Sequence, residues 1–195
     1  MKKLFLLILI SFLSICSNAQ KKKKSTPKVS KTNVLAKLDN LTAEIIKNNF
    51  NIYIINGKLK DSINIKTVGT IPPTDCVLKS FTSKGIKMYL LTYNEKSLVQ
   101  NPNKTEDITA TNSEILDVST KTKVFSNIQK TTKITEKVFL DKLKNASETQ
   151  EKMRNEGYTF ALLPDGDISL NSKTKSSKLS YDLASKQFIE TKKKK

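Results

Sequence analysis

Histidine is absent from this chain, and its cysteines are only two, Cys16 and Cys76. Ser-His-Asp and Cys-His nucleophiles, imidazole metal ligands and the commonest neutral-pH proton carrier are thereby excluded. Carboxylate chemistry is what remains. Asp165-Gly166-Asp167 has the look of a calcium loop, yet an EF-hand also needs later oxygen ligands and a distal Glu. Ile168 and Leu170 alternate there as strand residues, and Pro164-Asp165-Gly166 reads more directly as a hairpin turn. Glu106-Asp107 and Glu114 with Asp117 are acids in polar segments. A glycosidase would need two of them facing one cleft. Serine and lysine abound, but no serine sits in a nucleophile-elbow pattern and no Ser-Lys pair is singled out. The five glycines are too scattered to cradle a phosphate. No catalytic, cofactor or metal residue is therefore assigned, and no cofactor is expected.

The strongest linear signal lies at the start. Lys2 and Lys3 precede an apolar run over residues 4–15, followed by Cys16-Ser17-Asn18-Ala19-Gln20. A short positive leader, an apolar core and small residues before a cut predict a cleaved secretory signal over 1–19. The run is too short to cross a bilayer as a helix, which needs about 20 apolar residues. The protein is expected outside the cytoplasm, periplasmic or secreted, with no transmembrane segment in its mature form. The alternative is lipidation at Cys16, which would anchor it. Cleavage leaves Cys76 without a disulfide partner, and such a thiol is expected to be buried and inert.

Charge is placed unevenly. The formal charge is +17. Residues 20–32 hold Lys21, Lys22, Lys23, Lys24, Lys28 and Lys31 without one acid, and the chain closes on Lys192, Lys193, Lys194 and Lys195. Residues 33–191 carry 23 basic against 18 acidic groups. The basic character thus belongs to two tails, a disordered lysine-rich linker over 20–32 and a tail over 191–195. Their lysines are the expected electrostatic contacts with an anionic envelope surface, each worth about 1 kcal/mol near anionic lipid. Nucleic acid is not an expected partner, because the body lacks aromatic-rich RNA-binding patterns and finger spacings.

The elements that would position a binding surface read as an α+β fold. Val34, Leu38, Leu41 and Ile45, widened by Leu35 and Ile46, recur at helical spacing and predict a first amphipathic helix. Ile52 to Ile55, the turn dipeptide Asn56-Gly57 and Leu59 to Ile65 predict a hairpin of type I′. A second hairpin turns at Ser83-Lys84-Gly85. The polar stretch 94–112, with Asn101-Pro102-Asn103, predicts a long loop. Strands resume at 114–118 and 123–129. Thr135 as N-cap, Phe139, Leu143, Ala146 and Met153 as an apolar side, and Gly157 as the stop predict a second helix. Lys144 with Glu148, and Glu148 with Lys152, would be charge pairs on its outer face. Strands at 158–163 and 167–170 and a closing hairpin at 179–181 and 187–189 complete the chain. The expected architecture is antiparallel sheet of short strands with two amphipathic helices on one face. It divides into an α+β half at 33–93, the loop at 94–112 and a half at 113–190, with two halves alike in outline as one form of it. Function follows as a non-catalytic envelope-associated binding protein whose partner is an envelope protein or the anionic surface itself. The alternatives are an exported hydrolase using carboxylate or Ser-Lys chemistry, or a small inhibitor or immunity-type protein.

Overall fold

The computed structural model describes residues 33–191. The expected signal peptide and linker and Lys192 to Lys195 lie outside the described residues. Thirteen strands run through the chain: β1 (Asn33–Leu38), β2 (Leu41–Ile46), β3 (Asn49–Asn56), β4 (Leu59–Thr67), β5 (Thr74–Ser83), β6 (Ile86–Asn101), β7 (Lys104–Asp117), β8 (Thr122–Phe139), β9 (Ser147–Gly157), β10 (Thr159–Leu162), β11 (Ile168–Asn171), β12 (Ser176–Asp182) and β13 (Gln187–Glu190). They form three antiparallel sheets, each a meander in chain order: β1 to β4, β5 to β9 and β10 to β13. No described residue is helical, so the α+β expectation is overturned and the fold is all-β.

The first predicted helix is the β1–β2 hairpin. Leu38 and Leu41 are cross-strand partners flanking the turn Asp39-Asn40. A two-residue turn places its flanking residues three apart in sequence, the same step that an amphipathic helix uses. Asp39 takes a positive φ of 52°, a conformation Asp tolerates better than most residues. The second predicted helix is the end of β8, a turn over residues 140–146 and all of β9. Its supposed apolar side stays in water, with Leu143 80% and Met153 63% exposed. Its charges pair across strands instead: Lys133 meets Glu151 at 3.0 Å and Lys152 meets Glu136 at 3.8 Å. With neither helix present, the shared outline of the two halves also disappears.

The polar stretch 94–112 is no loop but the far half of the β6–β7 hairpin, turned at Pro102-Asn103 between the paired Asn101 and Lys104. The β3–β4 turn centres on Gly57-Lys58, one residue later than the dipeptide suggests. Only Gly57 has positive φ there, the pattern of type II′ rather than I′. Turns at Lys84-Gly85 and at residues 163–167 fall where the sequence places them.

The central sheet is buried on both faces, and β6 shows why. Tyr89, Leu91 and Tyr93 point to one face and pack with Phe50, Ile52, Ile54, Leu41 and Ile63 of the first sheet. Met88 and Leu90 point to the other face and pack with Ile168, Tyr181 and Phe188 of the third sheet. Alternation along one strand thus feeds two cores, which explains its unbroken apolar run. Phe50 and Tyr93 meet edge-to-face at 5.2 Å between centroids. Beyond these cores β6 to β9 continue as a four-stranded arm, covered on neither face by a further sheet.

Candidate functional site

On the arm, cross-strand pairing brings Ser97, Ile108, Thr132 and Arg154 into one row across β6, β7, β8 and β9. The next row toward the core is Glu95, Ala110, Lys130 and Glu156. Residues two apart on a strand share a face, and these rows lie on the side that packs against the first sheet. There the β4–β5 connection overhangs the arm with Gly69, Thr70 and Ile71. The inner corner so formed is a cleft of about 510 Å³.

Its floor is held by charge. Lys66 on β4 pairs with Glu95 Oε1 at 2.6 Å, and the Asn112 amide, buried on β7, donates to Glu95 Oε2 at 3.2 Å. This ties the first sheet to the root of the arm. At the rim, Lys104 sits 2.7 Å from Glu106, and Arg154 Nη1 lies 3.8 Å from the same carboxylate. The hydrogen bond from Lys104 holds the Glu106 carboxyl below its usual range, with the Lys104 and Arg154 charges adding to it. Arg154 Nε also approaches Glu156 at 3.3 Å. By contrast, Lys130 lines the cleft and forms no ion pair among the described residues, while Lys96, between Glu95 and Ser97, turns its side chain to the opposite face.

Arg154 is the single arginine of a chain that otherwise relies on lysine. Its planar fork can take a carboxylate or phosphate through two parallel hydrogen bonds, which an ammonium cannot. No motif in the sequence marks it. The one available signal was its rarity among so many lysines.

The acids weighed as catalytic do not converge. Glu114 and Asp117 are three apart on β7, and Glu106 and Asp107 are adjacent, so each pair splits between opposite faces of the sheet. Glu114 is engaged by Lys123 at 3.0 Å. Asp117 is buried and accepts hydrogen bonds from the Ser119 amide, the Ser119 hydroxyl and the Thr120 amide, closing the β7–β8 turn. Burial alone would raise its pKa. Those bonds outweigh it, and the carboxyl is held below its usual range. At Asp165-Gly166-Asp167 the ammonium of Lys178 lies 2.8 Å from Asp165 and 3.0 Å from Asp167, where a cation would have to sit. The segment is a turn. Among the described residues no group of three acids or cysteines is placed to hold a metal, and no serine hydroxyl hydrogen-bonds a lysine ammonium.

Comparison with protein-family models, with curated proteins and with solved structures finds no match for this chain.

Cys76 lies partly buried against the first core. Burial pushes its thiol up to about 11, which suits a packing residue and not a nucleophile. The lysines assigned to surface contact, Lys21 to Lys24 and Lys192 to Lys195, lie outside the described residues. Among those described, no helix is long and apolar enough to cross a membrane.

Proposed function

We propose that this chain is a non-catalytic binding protein of the cell envelope that holds a partner in the inner corner of its arm, with its basic tails lending attraction to the anionic surface. The observation that carries the reading is the cation set on the cleft wall. Lys130 and Arg154 project from the hydrogen-bonded neighbours β8 and β9, and Lys130 forms no ion pair among the described residues. Strands hold side chains in place better than loops do, which favours recognition. Glu106 is held ionised by its cationic neighbours, which makes it a poor proton carrier and a good fixed charge. The partner that fits is an envelope protein presenting carboxylates.

Purified protein immobilised at Cys76-independent sites and exposed to envelope extract tests this directly. Wild type should retain a stoichiometric partner, and Lys130→Glu with Arg154→Glu should retain at least about tenfold less, as expected when charge complementarity is reversed. Equal retention by both proteins would sink the cleft reading. Recovery of one enzyme whose activity falls on binding would identify the protein as an inhibitor.

A further inference from the structure

We infer that the free edge of β9 docks a second copy of this chain, the two β9 strands pairing antiparallel about a two-fold axis at Gln150. β9 ends the sheet order β5 to β9, so no described strand covers its outer side. It pairs with β8 over 11 residues without a register shift, and it contains no proline. Its outer N–H and C=O groups therefore form an uninterrupted template, the kind that proteins usually blunt with bulges, prolines or short strands. Here the blunting is by charge alone, and the charges are arranged so that they close on themselves.

A two-fold axis normal to the sheet must pass through a residue, because opposed residues have to share a face. At Gln150, each Glu148 stands opposite the partner's Lys152, and nothing stands opposite a like charge. At Glu151 the axis would set that carboxylate against itself. At Lys152 it would oppose two ammonium groups and set Glu148 against the partner's Glu156. At Met153 it would oppose Lys152 to the partner's Arg154. At Arg154 it would oppose two guanidinium groups. Like charges directly opposed across a sheet are destabilising, so of the registers centred on residues 150–154, which pair seven or more residues of β9, only that at Gln150 is free of them. Glu148 has no cation in its own chain among the described residues, and Lys152 is held only loosely, 3.8 Å from Glu136.

The apolar surface is disposed to match. The β8–β9 turn exposes Leu140 by 63% and Leu143 by 80%. The other end of β9 carries a hollow of about 320 Å³ lined by Ile128, Lys130, Glu156 and Gly157. The axis brings the turn of each copy to the hollow end of the other. Leucines that would otherwise face water so gain an apolar neighbour.

Sedimentation of the purified protein over a range of concentrations tests the pairing. A reversible dimer that weakens with salt is expected. Glu148→Lys should weaken it by at least about tenfold, and Glu148→Lys combined with Lys152→Glu should restore it. Circular dichroism of each variant checks that it is folded. Under mild oxidation Gln150→Cys should form an intermolecular disulfide across the axis faster than Glu151→Cys does. A monomer at every concentration in low salt, a charge swap that restores nothing, or faster crosslinking of Glu151→Cys would each overturn the inference. So would a protein whose outer β9 amides become protected from exchange only in envelope extract, which would indicate a foreign strand. Lys130 and Glu156 border both the hollow and the cleft, but Glu148 and Gln150 do not line the cleft, so the charge swap and the crosslink test the pairing without touching the cleft reading.

Discussion

Gly166 is held to glycine by a neighbour as well as by its own backbone. Its φ is +80°, and a Cβ there would collide with the Thr82 carbonyl oxygen and reach 2.8 Å from the Ser83 Cα. The residue thus lets the β10–β11 turn press against β5. Gly166→Ala should lower stability by about 1–3 kcal/mol from the backbone conformation alone, read as a fall in the thermal midpoint. Asp117 provides a pH test. Its folded pKa is depressed, so its stabilisation is present above the unfolded value and lost as pH falls through the folded one. Asp117→Asn should therefore cost stability at neutral pH. The gap to wild type should close in acid below about pH 4, the unfolded range of an aspartate. If the gap is the same at pH 7 and in acid, the turn does not depend on the charge. Cys76 belongs at this scale too. Its thiol, pushed up to about 11, should react slowly with alkylating reagents at pH 8 and faster as pH climbs toward that value or when the protein is unfolded.

At the level of elements, the two corrections share a cause. Sequence spacing alone does not distinguish a helical face from a hairpin whose flanking residues meet across a two-residue turn, as Leu38 and Leu41 do. For residues 135–157, the glutamates and lysines favour helix locally. The outcome is decided by β8, whose 18 residues offer a long edge to pair with. Where both neighbours could be read locally, the turns were legible: Lys84-Gly85 and Pro164-Asp165-Gly166 carry their own φ preferences. Position within the sheet then sets energetic weight. Leu91, fully buried between sheets, should cost about 2–5 kcal/mol when replaced by Ala. Leu98, 57% exposed on the arm, should change stability by no more than about 0.5 kcal/mol. Urea melts of the two variants make the comparison, and equal costs would mean that the arm is packed in solution.

Across the whole molecule, β6 joins two cores that would otherwise be separate. Met88 and Leu90 serve one, Tyr89 and Leu91 the other. Unfolding should therefore be a single transition in which circular dichroism and tyrosine fluorescence coincide, since Tyr89 and Tyr93 report one core and Tyr181 the other. Two resolved transitions would show that the strand does not couple them. The proposed tail contacts belong to this scale as well. Removing Lys21 to Lys24 and Lys192 to Lys195 should weaken envelope association and lower its sensitivity to salt, the cleft contacts remaining.

Composition by itself determined what chemistry was open to this chain. Without histidine, and with scattered glycines, neither a histidine-dependent triad nor a glycine-rich phosphate loop could be built. Those conclusions need only residue types. The tertiary structure decided everything that depends on pairing between distant segments. It made strands of both predicted helices, turned a polar loop into a paired arm, and set Arg154 beside Glu106, 48 positions away in sequence. The physical reason is the range of the interactions. A helix satisfies its backbone within four residues, whereas a strand's hydrogen bonds go to a neighbour that local spacing does not identify.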